Sequence, residues 1–183
     1  MITTKLITLA NIQDVKSISL NVNETKQLSP YILEAQNFDL RELLGDAFYL
    51  DLIADFSALP SLDKYDLLFN GGQYTYQNDT YYLDGVKQFL VYSTYARYLA
   101  NSNVISTATG IVHKTNQYSD RVEEKTISRL VSQARSGATF CEENIKKYLE
   151  RNKSSYPLFK CDKNSNFTNG IKIRNIGSWI VIT

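Results

Sequence analysis

The chain has little with which to do chemistry. In 183 residues it carries one histidine, two cysteines, one tryptophan and three prolines. A single histidine, His113, has no Asp, Glu or Cys near it at ligand spacing, so a zinc-type site is not expected. It reads as a surface loop residue. Cys141 and Cys161 form no disulfide framework. Apolar runs are short of the length that spans a bilayer. Met1 to Ala10 carry Lys5 inside a short apolar run, too short for a signal core and without a cleavage site. Charge is balanced, with 20 basic against 19 acidic residues, so no basic footprint for gripping nucleic acid is present.

Catalytic signatures are as scarce. Gly71-Gly72 is a turn doublet and not a phosphate loop. There is no serine elbow, no His-x-Glu pattern and no Cys-x-x-Cys. Asp162-Lys163-Asn164 lacks the later glycine and glutamate of a calcium loop. The expectation is a non-enzyme with no catalytic residues, no metal and no cofactor.

What is plentiful is pattern and tyrosine. Ser119 to Asn152 reads as one amphipathic helix. Ile127, Val131, Ala134, Ala138, Cys141, Ile145 and Tyr148 alternate four-three along it, the spacing of a heptad seam. Asp120 with Glu123 resembles a capping box. Glu142–Lys146 and Glu143–Lys147 are i,i+4 pairs on the wet side. Helical from Arg121 to Asn152, the rod is roughly 48 Å long at 1.5 Å per residue. Such a length points to a spacer or a contact between subunits. Lys146, Lys147, Arg151 and Lys153 make a basic end that favours the helix macrodipole. Thirteen tyrosines give broad contact area with a polar tip, which suits interfaces. An A/T-rich genome explains the same count equally well.

The rest is shorter. Residues 1–27 read as an N-terminal arm, with Ser17 to Val22 a short strand or extended piece. Ser29-Pro30 reads as a helix start. Leu40, Leu43 and Leu44 turn inward before Gly45, and Asp46 opens a further helix. Asp63 to Phe69 is another short one. Residues 73–83 read as a β-hairpin with Asn78-Asp79 in the turn, which sets Tyr76 opposite Tyr81 and Tyr74 opposite Leu83. Residues 85–101 form a central helix, apolar nearly all round. Asn103 to Gln117 read as a loop with a short strand at Gly110–Lys114. Pro157 ends the compact part. Beyond it, Asp162 to Gly170 is polar, Ile171 to Ile176 alternates, and Ser178 to Ile182 is apolar and β-prone. The expected fold is therefore mainly α: a helical bundle with a long helix at about 120–152, a central helix at about 85–101, a hairpin at about 73–83 and an extended β-prone tail.

The order of these elements resembles a known family. Ser29-Pro30-Tyr31-Ile32-Leu33-Glu34-Ala35-Gln36 and Leu40-Arg41-Glu42-Leu43-Leu44-Gly45 come first. A hairpin and a tyrosine-rich helix follow, then Thr107-Ala108-Thr109-Gly110-Ile111-Val112, then a long helix ending in Tyr148-Leu149 and Tyr156-Pro157-Leu158. This resembles the head–tail connector (adaptor) ring proteins of tailed bacteriophages, such as the crAss-like phages of Bacteroidetes, by element order over residues 28–158.

The resemblance implies a dodecameric ring below the portal. That ring extends the DNA channel, without sequence-specific DNA binding, and gives the tail a platform. It implies a virion protein assembled in the bacterial cytoplasm, with the portal, tail proteins and copies of itself as partners and no membrane. The domains expected are an arm at 1–27, a connector body at 28–158 and a tail at 159–183. Residues expected at interfaces are Tyr74, Tyr76 and Tyr81 of the hairpin, and Ala134 and Ala138 of the seam. From the C-terminal part come Phe159, Phe167, Ile171, Ile173, Trp179 and Ile180. The remaining readings are a tail-completion or stopper protein, or a cytosolic helical protein with a small-molecule role.

Overall fold

The structure, a computed structural model, describes residues 3–19, 22–57, 63–102, 104–107, 110–113 and 123–160. Helix α1 (Leu9–Gln13) is opened by Thr8, whose backbone N–H donates to Asn11 Oδ1 at 3.0 Å. A continuous helical run then extends from Glu24 to Leu44. It consists of a widened π-turn (Glu24–Leu28), α2 (Ser29–Glu34), a second π-turn (Ala35–Leu40) and α3 (Arg41–Leu44). The helix expected to start at Ser29-Pro30 thus starts earlier, where Asn23 Oδ1 accepts the Lys26 N–H at 2.9 Å. In a straight α-helix the Pro30 ring would clash with the carbonyl four residues back, and the wider preceding turn avoids that.

The second widened turn points two amides inward. Gln36 is fully buried; its Oε1 accepts the Leu6 N–H at 3.0 Å and its Nε2 donates to the Thr4 carbonyl at 2.7 Å. Asn37 accepts from the Tyr49 hydroxyl at 3.3 Å. Gln36 thereby fixes the N-terminal stretch, and Leu6, Ile7 and Ile12 enter the common core. The expected arm at 1–27 does not stand apart: residues 3–19 are built into the body. Lys5 adds a salt bridge to Glu24 at 2.5 Å and holds that carboxyl below the usual carboxylate range.

Gly45, at φ 77°, ends α3, and α4 (Asp46–Ser57) buries Phe48, Tyr49, Leu52 and Ile53. Next come α5 (Asp63–Asn70) and a hairpin of β1 (Gly72–Tyr76) and β2 (Asp79–Leu83). The turn is Gln77-Asn78, both at positive φ, not Asn78-Asp79. Two consecutive positive-φ residues make the primed turn that matches strand twist. The register therefore sets Tyr74 opposite Tyr81, Tyr76 opposite Asp79 and Gly72 opposite Leu83.

Helix α6 (Gly85–Ala100) is the centre of the fold. Among its residues only Ala100 is exposed, as expected of a helix apolar nearly all round. Its start is tight: a Cβ on Gly85 would lie 2.5 Å from the Gly71 nitrogen, so both glycines are needed for the base of the hairpin to cross the helix end. The short strand expected at Gly110–Lys114 is β4 (Gly110–His113), and it pairs antiparallel with β3 (Val104–Thr107), in the stretch expected as loop, with Val104 opposite His113. Four residues, Val104 to Thr107, are too few for a strand pattern to stand out from a loop.

Helix α7 (Glu124–Arg151) is the long helix. At 28 residues it spans about 42 Å. Residues 120–122, which carry part of the expected capping box, lie outside the described residues. Ala134, Cys141, Ile145 and Tyr148 of the seam are buried, mainly against α6 of the same chain, while Ile127, Val131 and Ala138 are half-buried. Fully burying an Ile145 or Leu90 side chain contributes about 1.5–3 kcal/mol each. The Glu142–Lys146 pair closes at 2.5 Å, whereas Glu143 and Lys147 form no ion pair among the described residues. The chain stays compact past Pro157, because Tyr156 and Phe159 both enter the core.

The close approach of α7 to α6 depends on Gly137. A Cβ there would meet the Tyr92 ring at 2.6 Å. Gly to Ala inside a helix ordinarily stabilises by about 1 kcal/mol. Here Gly137→Ala is expected instead to destabilise by about 1–3 kcal/mol through overpacking. In a Tyr92→Leu background the same substitution should become stabilising. Chemical denaturation of the four proteins in this cycle checks it, and a stabilising Gly137→Ala in the wild-type background would contradict the contact.

Candidate interaction surface

The C-terminal end of α7 meets the first hairpin through aromatic rings. Tyr74 stacks on Tyr81 with centroids 5.6 Å apart and meets Tyr148 edge-on at 4.8 Å. Arg151 caps the group. Its guanidinium lies 3.8 Å from the Tyr81 ring and 5.3 Å from the Tyr76 ring, and its Nη1 donates to the Tyr74 hydroxyl at 2.8 Å. Planar guanidinium over ring faces is a favoured cation–π arrangement. Arg151 therefore has a specific partner set beyond the macrodipole role that its position implied.

The interface expectation for the hairpin changes accordingly. Tyr74 belongs to the core of its own chain, at 9% exposure. The shifted turn pairs Tyr74 with Tyr81, and the face they share packs on α7 through Tyr148. Tyr76 and Tyr81 are half-buried under Arg151. The outward ring of this hairpin is Tyr82, 63% exposed, which the sequence pattern did not single out.

Behind the hairpin, Tyr156 packs on Phe48 at 5.7 Å and shares a 3.0 Å hydrogen bond with the Tyr148 hydroxyl. Tyr65 lies against the same rings and donates to Asp51. Phe159 closes the cluster against Phe48. In the seam, Ala134 is buried, and burial pushes the Cys141 thiol up to about 12, so this thiol is a packed core group.

On the opposite side of α7 an open cleft of about 780 Å³ runs between α3, α6 and α7. Its apolar floor includes Leu43, Phe89 and Ala138, and Phe159 and Lys160 form one end. One wall is tied by Arg97, which grips both oxygens of Asp39 at 2.6 and 3.0 Å and reaches Glu34 at 3.3 Å. Such a forked pair is geometrically specific. A charged residue near the end of a tyrosine-rich helix was the available sequence signal for it. Glu42 and Arg135 stand on the rim with no ion pair among the described residues. The cleft itself had no linear signal, because its walls come from segments about 50 residues apart.

Of the residues expected at interfaces, the cleft brings together Ala138 and Phe159. Phe167, Ile171, Ile173, Trp179 and Ile180 lie outside the described residues. Among the described residues no three His, Cys, Asp or Glu side chains stand close enough to hold a metal ion. No described helix is long and apolar enough to cross a membrane. Exposed apolar side chains include Phe38, Leu50, Phe140 and Leu158.

The tyrosine cluster has a pH consequence. Burial raises the Tyr156 and Tyr65 phenols above the ordinary 10, and the hydrogen bonds to Tyr148 and Asp51 act the same way. The fold holds the neutral phenols. Their contribution is thus complete below about pH 10 and is lost as pH rises beyond it. Tyr156→Phe keeps the ring packing and removes one ionisable group. It should cost about 1 kcal/mol at pH 7 and make the loss of melting temperature between pH 9 and about pH 11 shallower. An unchanged slope would contradict the assignment.

No curated protein and no solved structure matches the chain. Residues 40–169, from the second π-turn through α7 and beyond the described residues, match a single family. The chain belongs to DUF6712, a family of unknown function.

Proposed function

We propose that this chain is a structural subunit of a ring at the portal–tail junction of a tailed bacteriophage. In that role it lines an extension of the DNA channel and offers the docking platform for the tail. The observation that carries the reading is the form of α7. From Ala134 to Leu149 one face is fixed in the chain's own core, whereas Ile127, Leu130 and Val131 near its start remain only half-buried, and Phe140 on its outer face is 64% exposed. A helix of about 42 Å anchored at one end can present its other end to a neighbouring copy. The element order supports the same reading: short helices, hairpin, central helix, long helix. The near-neutral charge is compatible with a channel that must let DNA slide. A tail-completion or stopper protein at the same junction would share all of these features.

A second reading, a helical protein with a small-molecule role, draws on the cleft, whose size falls in the range of ligand sites. Its rim carries charges of both signs and its wall is already tied by Arg97.

Light scattering and negative-stain microscopy of the full chain, alone and with the portal assembly, test the ring. The expected result is a closed ring with a mass near twelve times 20.9 kDa. A chain that stays single in both samples contradicts the reading.

A further inference from the structure

We infer that the cleft between α3, α6 and α7 is the receptor for the C-terminal segment of a neighbouring copy, with Ile171 to Arg174 as its first contact. This deepens the proposed ring and rests on it.

Four observations converge. The cleft has an apolar floor, with Leu43, Phe89 and Ala138, and a rim of both signs, with Glu42 and Glu142 beside Arg135, Lys146 and Lys160. Glu42 has no ion pair among the described residues, whereas Glu142 is taken by Lys146. The last described residues, Phe159 and Lys160, form one end of this cleft, so residue 161 begins at its mouth. Residues 161–183 follow, and Ile171-Lys172-Ile173-Arg174 alternates apolar and basic residues. In an extended segment, alternate side chains face opposite ways, so Ile171 and Ile173 match the floor while Lys172 and Arg174 face the rim, where Glu42 is the carboxylate left without an ion pair among the described residues.

The spacing selects the copy. Residues 161–170 separate the mouth from Ile171 and reach roughly 33 Å when extended. A segment meant for its own cleft would need no such interval, because Lys160 already stands at that cleft. The interval suits a step to the next subunit. Trp179 lies further along the segment, and a buried tryptophan is a common interface anchor.

The test uses the full chain in a Cys161→Ser background; Cys141 stays silent because it is buried. One copy, carrying an affinity tag, has Ala138→Cys, and the other has Ile173→Cys. The mixture is oxidised at the concentration where light scattering reports assembly. The expected product is a two-chain band whose digest contains a peptide joining positions 138 and 173. If a link forms only when both substitutions sit in one chain, and runs at single-chain mass, the segment serves its own cleft and the inference is overturned. No link in either arrangement overturns it as well.

A charge swap gives a second reading that misfolding does not mimic. Glu42→Lys should weaken association by about 2- to 5-fold, as expected for an exposed pair. Adding Lys172→Glu should restore it, and failure of the swap to restore association counts against the contact. Deletion of residues 165–183 separates the two levels. A ring that persists without the segment removes the segment's role and leaves the ring reading standing. A ring lost on deletion while the body keeps its melting transition supports the clasp.

Discussion

The contact between α6 and α7 is the constraint on which the rest of the structure depends. It is close because α7 offers Ala134 and Gly137 where α6 presents Tyr92 and its neighbours. Once α7 covers one flank of α6, the other flanks must be covered by α2, the second π-turn, α5 and the N-terminal stretch. That is why a 16-residue helix ends with only Ala100 exposed. Every large buried side chain of α6, including Val86, Phe89 and Leu90, packs in one continuous cluster with Leu6, Ile32, Leu52 and Leu149. The residues are far apart in sequence, so loss of the α6–α7 contact is expected to weaken all layers together.

Polar ties then fix what apolar burial leaves free. Burial is non-directional, so it does not by itself decide where the N-terminal stretch runs. Gln36 decides it, through two hydrogen bonds to the backbone around Leu6. A buried amide with its partners in place specifies one arrangement, because any slip would leave those groups unpaired. Arg97 does the same for the helical run, holding Asp39 and Glu34 to α6. Both ties meet the second π-turn: Gln36 and Asp39 lie within it. The extra residue in that widened turn is what lets amides face the core and a carboxylate face Arg97 within six residues.

The sequence was legible where one element carried its own signal. The two long helices and the first hairpin announce themselves by period, and their ends fall within a few residues of expectation. Gly45 and the inward Leu40, Leu43 and Leu44 were equally plain. What periodicity does not encode is the identity of the covering partner. The seam through Ala134, Cys141 and Ile145 is real, but α6 of the same chain covers most of it. A heptad pattern has the same form whether its partner is a neighbouring chain or a helix 40 residues upstream. The hairpin register failed for a local reason. Choosing Asn78-Asp79 as the turn follows composition, whereas Gln77 accepts a positive φ so that both strands keep five residues. That single step changes which residues pair but leaves Tyr74, Tyr76, Tyr81 and Leu83 on one face; that this face meets α7 is what the strand pattern did not carry.

The cleft follows from the same logic of coverage. α7 is packed on one side by α6 and hairpin residues, and α3 sits across α6 from it without closing the gap. Small residues that let two helices approach also leave their neighbouring positions without long side chains, and Ala138 and Ala96 stand at such positions in the cleft. The groove is thus a by-product of the close α6–α7 contact, lined by Phe89 from below and by Phe159 at one end. Apolar surface remains at the cleft and along the half-buried start of α7, and singly at Phe38, Leu50, Tyr82 and Phe140 among the described residues.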